Sequence, residues 1–351
     1  MLSNADATSK LPLAPEAVLA ALVADRRFGH PLSLTDTPIE RIHDHQGIYR
    51  IFVRGSEALP SSFILKMVQR WEVEIQARIA SELDKIVPAV YGHPVLFGGS
   101  AKDAVGMLME DLDNERMHCA GRGDQGSPLL TQQLAVYGEA TARLASVHDH
   151  FKHALPSLPE PRQLGVGLRE AVPEITGLLS LLVSVAGLPV EQAVIEEIGN
   201  IGTHFDDYLM HCSSSESLTL IHGDFHLGNV MSNSTGDVRI IDWGAAATGP
   251  CEWDLVMCGE PQVLRYLEAR TSITREDSDR AFCQRLRSAV VVRMYEFIRA
   301  AIGLVFADPT LPFESLLMSI PLYAVRLTEA ANSKGFCGGD PLLAASRMRT
   351  Q

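Results

Sequence analysis

The chain has 351 residues, 46% of them apolar and 21% charged, with 43 acidic against 30 basic side chains and a formal net charge of -13. That is enough chain, with enough apolar content, for two lobes that each bury a core, and it excludes a disordered polyelectrolyte. The acidity argues against a nucleic-acid partner and weakly favours a cationic small molecule.

Six cysteines at 119, 212, 251, 258, 283 and 337 form no CxxC pair, and the opening MLSNADATSK has no apolar leader segment. Reduced thiols and a cytoplasmic location are therefore expected. The longest apolar stretches, such as Leu178 to Pro189, fall short of the roughly 20 apolar residues a membrane span needs, so no membrane partner is expected.

In chain order, a helix is expected first from about Pro15 to Phe28, where Val18, Leu19, Leu22 and Val23 fall at helical spacing behind a first-turn proline. Two strand-like runs follow, Tyr49 to Val53 and Ser62 to Val68, around a polar turn from Gly55 to Pro60. The second run carries Lys66 inside FILKMV. From Arg70 to Leu83 the pattern turns helical, with Ile75, Ile79 and Leu83 in one stripe and Pro88 past its end. Val95 to Phe97 and Val105 to Met109 predict another strand pair, giving a small sheet that carries one helix.

Beyond Asp111 long helical patterns dominate. A glycine-rich linker, Gly121 to Pro128, leads into Leu129 to His150, where Leu134, Tyr137, Thr141, Leu144 and His148 recur on one side. After a proline-rich loop, Leu155 to Gln163, helices are expected near Leu168 to Val185 and Val190 to Cys212. Apolar periodicity resumes over Glu260 to Ala269, Arg280 to Phe306 and Phe313 to Ala330, and the tail after Ser333 is expected to be loosely structured.

One segment among these helices carries chemistry: His222 to Trp243, HGDFHLGNVMSNSTGDVRIIDW. A short apolar strand, Ser217 to Ile221, runs into His222-Gly223-Asp224. Asn229 then opens a second strand, Val230 to Asn233, which turns over Ser234 to Asp237 and returns as Val238 to Ile241 to Asp242. If Asn233 pairs with Val238 across that turn, Asn229 faces Asp242 at about 5 Å between Cβ atoms. An amide oxygen and a carboxylate so placed suit a hard cation that takes its other ligands from water and phosphate, which describes Mg²⁺ in a nucleotide site. Asp224 stands apart from that pair in sequence, where it can orient a hydroxyl and accept its proton during phosphoryl transfer.

The HGDxxxxN…IDW pattern resembles the catalytic and metal loops of the aminoglycoside phosphotransferase and choline kinase superfamily, distant relatives of the protein kinases. Gly249-Pro250 and Trp253-Asp254-Leu255 resemble the run that follows in that family, whose aspartate braces the catalytic loop, and TARLASVHDH resembles a helix of its second lobe. The resemblance spans about residues 40 to 256 in the family's order. It implies an α+β, bilobal, protein-kinase-like fold with a β-rich nucleotide lobe over residues 1–111 and a mainly helical catalytic and acceptor lobe over 112–351.

The same resemblance implies site roles. Lys66 would hold the nucleotide phosphates and Glu72 would pair with it, with Glu74 as runner-up; Glu72 precedes Ile79 by two helical turns and shares its face. The backbone around Glu110 and Leu112 would contact the purine, Asn229 and Asp242 would hold Mg²⁺, and Asp224 would be the base. The nucleotide would be ATP, with GTP as the alternative, and the acceptor a hydroxylated antibiotic. Choline, an amino alcohol, a sugar or a biosynthetic intermediate are other acceptors, and a silent kinase-like binding protein is the reading from another class. No GxGxxG precedes Lys66; His43 to Gly47 stands where a phosphate-covering loop would lie.

Plainer readings compete for several residues. His222 and His226 are four apart, but glycine replaces the glutamate of HExxH, so zinc is not expected; His222 reads as a hydrogen-bonding group of the loop and His226 as no more than a loop residue near the cleft. The HDH runs at 43–45 and 148–150 are expected to be solvated or helix-packed, Lys66 has an alternative as an edge-strand guard, and Glu252, Glu260 and Glu296 are expected to be surface or helix charges.

Overall fold

A computed structural model describes residues 15–25, 32–43, 47–55, 60–96, 104–115, 118–119, 129–152, 163–213, 218–270, 277–307 and 313–332. The linker at 121–128, most of the loop at 155–163 and the tail after 333 lie outside them. Packing divides the chain into two compact units, residues 1–143 with 226–246, and residues 144–225 with 247–351.

The first unit is built on a five-stranded antiparallel sheet of β1 (Ser33–His43), β2 (Ile48–Arg54), β3 (Ser62–Gln69), β4 (Val90–Leu96) and β5 (Ala104–Glu110), in the spatial order β1-β2-β3-β5-β4. The helices are α1 (Pro15–Val23) and α2 (Arg70–Glu82). Strand alternation sends Phe63 and Leu65 of β3 into one apolar cluster with Val18 and Leu22 of α1, Ile51 and Leu108. Val68 and its neighbour Ile64 join the opposite cluster, with Val73 of α2, Val105, Met107 and Met109. Lys66 has the parity of Ile64 and Val68, so the pleat alone turns it toward α2.

Two features of this unit depart from expectation. α1 ends at Val23 rather than Phe28, closed by a hydrogen bond from the Asp25 N–H to the Leu22 carbonyl at 3.0 Å. β1 was not expected at all, because Pro38 and a run of charges disguise it; it is an edge strand whose register shifts between Leu34 and Ile39. Proline is tolerated there because one side of an edge strand has no ladder to complete.

The same unit includes β8 (Val230–Ser232) and β9 (Val238–Ile240), with β6 (His118–Cys119) paired to β8. This hairpin is fastened to the chain just beyond α2. The Ile240 N–H donates to the Ile86 carbonyl at 2.8 Å, and the Lys85 carbonyl accepts from both Arg239, at 3.0 Å, and Arg143, at 2.8 Å.

The second unit is mainly helical: α4 (Leu168–Ala186), α5 (Gln192–Gly202), α6 (Phe205–Cys212), α7 (Glu260–Ala269), α8 (Asp277–Ala307) and α9 (Phe313–Asn332). α3 (Leu129–Phe151) contributes its end from Leu144 onward. Ala289, Val290, Val291, Val292, Met294, Tyr295 and Ile298 of α8 are all fully buried, which marks a helix enclosed on every side. The expected single helix over 190–212 is two, broken at Thr203-His204. Gly202, at the break, lies so close to α4 that a Cβ there would stand 2.4 Å from Val172 Cγ1. No helix among the described residues is long and apolar enough to cross a membrane.

Candidate active site

In the second unit β7 (Leu218–Ile221) pairs antiparallel with β10 (Ala247–Pro250), Ile221 opposite Ala247. The chain leaves β7 as His222-Gly223-Asp224 and leaves β10 as a 3-10 turn over Cys251–Leu255. Adjacent strand ends thus bring Asp254 to the loop. Its Oδ2 accepts the His222 N–H at 2.6 Å and its Oδ1 the Gly223 N–H at 2.7 Å. His148 completes the brace, Nε2 3.1 Å from Asp254 and Nδ1 2.7 Å from the Tyr266 hydroxyl. Burial opposes ionisation of Asp254, but the His148 bond, the field of His148 and His222, and the His222 N–H outweigh it and hold the carboxyl below the ordinary aspartate range.

Gly223 has φ 81, a left-handed backbone open to glycine at little cost. Asp224 follows with an exposed side chain, its N–H 3.3 Å from His222 Nδ1. His222 is fully buried and serves the loop, as expected. His226 does more than occupy the loop: its Nδ1 accepts the Gly228 N–H at 3.0 Å and caps the turn that carries Asn229.

In the first unit Lys66, Glu72 and Asp242 meet. The Lys66 Nζ lies 2.7 Å from Glu72 Oε1 and 2.7 Å from Asp242 Oδ1. Glu72 heads the buried stripe of α2, Glu72, Val73, Ile75, Gln76 and Ile79, whereas Glu74 is exposed. Burial opposes the Lys66 ammonium, but Glu72 and then Asp242 outweigh it and raise its pKa above the ordinary lysine value. Burial also raises the Glu72 carboxyl, with Lys66 as the counterweight. Gly244 makes room for the cluster, since a Cβ there would stand 3.2 Å from Glu72 Oε2.

The hairpin register differs from the expectation by one residue. Val230 pairs with Ile240, Met231 with Arg239 and Ser232 with Val238, and the Ile241 N–H donates to the Asn229 carbonyl at 2.9 Å. Asn229 therefore lies opposite Ile241, not Asp242. The cause is the turn, which spans three residues rather than four. Asn233 Oδ1 accepts the N–H groups of Thr235 and Asp237 at 3.1 and 2.9 Å, and Gly236 takes φ 87. A three-residue loop with a left-handed glycine closes Asn233 on Asp237. A slip of one residue would send Asp242 to the opposite face of a continuing strand. Asp242 instead leaves the strand with φ 64, and its carboxylate reaches Lys66.

The donor set suits a hard cation. Asn229 offers a buried amide and Asp242 an exposed carboxylate whose Oδ2 has no protein partner among the described residues. Two carboxylates around one ammonium leave a net negative charge, and no thiolate or imidazole is among these groups. Lys66 spends two of its three donors on Glu72 and Asp242.

At the end of β5 the Glu110 N–H donates to the Ala89 carbonyl at 2.8 Å, and Glu110 Oε2 accepts the Ala89 N–H at 3.1 Å. Leu112 is buried at the start of a 3-10 turn. Sequence reasoning missed the residue between them. Asp111 is buried, accepts from Arg50 Nε and Ser62 Oγ at 2.6 Å each, and ties β2 and β3 to the end of β5. Glu252, expected as a surface or helix charge, lies in the 3-10 turn over Cys251–Leu255, where it is fully buried rather than at the surface and pairs with Arg285 at 2.6 Å. Its neighbour in sequence, Trp253, gave the only hint that the turn packs inward.

An antiparallel sheet bearing a lysine paired to a helix glutamate, followed by a helical part entered through an HGD loop, defines the protein-kinase-like phosphotransferase fold. The sequence model of the phosphotransferase enzyme family matches residues 71–290, and the chain belongs to that family. Membership makes it a phosphotransferase. Solved structures share the fold at low identity. One, from Ralstonia eutropha JMP134 and provisionally named an aminoglycoside phosphotransferase, is 14% identical with a TM-score of 0.59 over 91% of this chain and 98% of that one. An AMP-bound spectinomycin phosphotransferase is 12% identical, with a TM-score of 0.54 over 91% and 98%. A choline/ethanolamine kinase family protein from Mesorhizobium loti is 15% identical, with a TM-score of 0.50 over 95% and 99%. No curated protein matches the sequence.

Proposed function

We propose that the chain transfers the γ-phosphate of ATP, or alternatively GTP, to a hydroxyl of an aminoglycoside-like or other hydroxylated antibiotic. The observation that carries the nucleotide half is Lys66 held between Glu72 and Asp242 at 2.7 Å from each. Its raised pKa keeps the ammonium charged at neutral pH, and its third donor serves a phosphate oxygen. Asn229 and Asp242 would hold Mg²⁺, which when bound supplies positive charge to the phosphates. Backbone groups at Glu110 and Leu112 serve the purine. In functional terms residues 1–111 form the nucleotide lobe and 112–351 the catalytic and acceptor lobe.

Asp224 receives the acceptor hydroxyl. As the acceptor oxygen bonds to the γ-phosphorus, the bond to the bridging oxygen breaks, the nucleoside diphosphate leaves and the hydroxyl proton passes to Asp224. The exposed side chain on a doubly braced loop supports this role, because positioning supplies most of the rate in such transfers. The net charge of -13 favours a cationic acceptor. Among the described residues Cys212, Cys251, Cys258 and Cys283 are outside any disulfide, which supports a cytoplasmic site of action.

The test is turnover of Mg-ATP and Mg-GTP with spectinomycin, kanamycin, choline, ethanolamine and a hexose as acceptors, with Asp224→Ala beside the parent. Acceptor-dependent release of nucleoside diphosphate that Asp224→Ala abolishes supports the reading. Selective turnover of choline or ethanolamine moves the substrate to amino alcohols, a reading that the Mesorhizobium loti likeness favours. A folded Asp224→Ala protein with undiminished transfer removes Asp224 from the chemistry.

A further inference from the structure

The geometry points to Arg293 as a positioning residue for Asp224: it fixes the Gly223–Asp224 peptide from its carbonyl side. Arg293 lies in α8 within the apolar run Val290 to Met294 and is 9% exposed, an environment that a cation enters only with partners. Those partners converge on the loop. One guanidinium nitrogen, Nη2, donates to the Gly223 carbonyl at 3.2 Å, and the other, Nη1, meets Glu296 Oε2 at 2.5 Å. The guanidinium carbon lies 5.2 Å from the centre of the Trp253 ring and 4.4 Å from that of Phe297. Glu296 is anchored in turn, its Oε1 accepting the Gly165 N–H at 3.3 Å.

A peptide unit joins the carbonyl of one residue to the N–H of the next in a single plane. For Gly223–Asp224 the carbonyl is held by Arg293 and the N–H by His222 Nδ1. Asp254 holds the two preceding N–H groups and touches neither end of this plane. Gly223, at φ 81, has no side chain to restrict its own rotation, so the plane that aims Asp224 needs an external grip. Arginine suits the task because its planar fork serves the carbonyl and Glu296 at once while its faces lie against the aromatic rings.

This inference rests on Asp224 being the base, and the test separates the two. Arg293→Met and Arg293→Lys are measured in the full-length protein, with Asp224→Asn and the double variant Asp224→Asn/Arg293→Met. The first readout needs no acceptor: residue-resolved amide exchange. In Arg293→Met the Asp224 amide should exchange at least about tenfold faster, while the His222 and Gly223 amides, held by Asp254, keep parental rates. The second readout is Mg-ATP turnover with the best acceptor of the panel, or with water if none is used. Arg293→Met should lower kcat by about 100-fold with little change in KM, and Arg293→Lys should recover part of it. In the Asp224→Asn background the same change should cost nothing further.

Equal acceleration of all three amides would make Arg293 a general stabiliser and overturn the inference. So would undiminished kcat in a folded Arg293→Met protein, or equal losses with and without Asp224. If Arg293→Met does not fold, Arg293→Lys with parental exchange at Asp224 and parental kcat overturns it alone. A fully active Asp224→Asn protein would instead sink the base assignment, leaving the exchange readout to judge Arg293.

Discussion

Asn229 faces Ile241 across the β8–β9 hairpin, and Asp242 is the first residue beyond the ladder, turned out of it by a left-handed backbone. The pairing fixes Asn229, while the turn at Asp242 aims the carboxylate at Lys66. Asp242→Asn keeps the shape and the tolerance for that backbone but removes the charge. Mg-nucleotide turnover should fall by about 100- to 1,000-fold, with thermal unfolding within a few degrees of the parent. Retained turnover at parental magnesium dependence would remove Asp242 from the site.

Lys66→Met should weaken nucleotide binding and also the fold. It leaves Glu72, 4% exposed, without its cation, at an expected cost of about 1–3 kcal/mol. The Glu72 carboxyl, already raised by burial, should rise further once the opposing charge is gone. Denaturant unfolding measures the first effect. Adding Glu72→Gln to Lys66→Met should return part of the loss, because it removes the buried charge; a double variant less stable than Lys66→Met contradicts the account.

Asp254 makes stability depend on pH in a defined direction. Its folded pKa lies below the roughly 3.9 of an unfolded aspartate, so the unfolded chain binds the extra proton. The contribution is fully present above that value and is lost as pH falls through the folded pKa. Asp254→Asn should therefore cost about 2 kcal/mol at pH 7, and the gap from the parent should narrow below about pH 4. Urea unfolding at both pH values checks it; a gap that widens in acid would reverse the sign.

Burial pushes the Cys212 and Cys251 thiols up to about 12. Native protein at pH 8 should leave both unmodified by a thiol reagent under conditions that label them in denaturant, as peptide mapping would show. Rapid native labelling of either would mean that its surroundings open.

Much of the site was legible because its signals are local. The family resemblance marked Lys66 and Glu72, and helical spacing ranked Glu72 ahead of Glu74; the fixed period of a strand accounts for Lys66 turning toward α2. The turn was harder, since NSTGD accommodates either loop length by count. What decides it is Asn233 Oδ1, which closes on Thr235 and Asp237 and leaves three residues between. β1 was hidden because an edge strand tolerates Pro38 and charges that argue against a central one. Arg293 and Asp111 depend on partners far away in sequence, Gly223 for one and Arg50 for the other, which no local pattern reveals. Only an arginine inside VVVRMYEF hinted at the first.

The chain enters the first unit twice, and this orders its making. When residues 1–143 have been synthesised, the Lys85 and Ile86 carbonyls still lack Arg239 and Ile240, and Lys66 lacks Asp242. Those arrive only with the hairpin that ends this unit's second segment at Ala246, several seconds later at about 5–20 residues per second. The part begun first on the ribosome is completed only after much of the other has emerged, and a fragment cut after residue 111 or after residue 143 lacks the strand pair that finishes it.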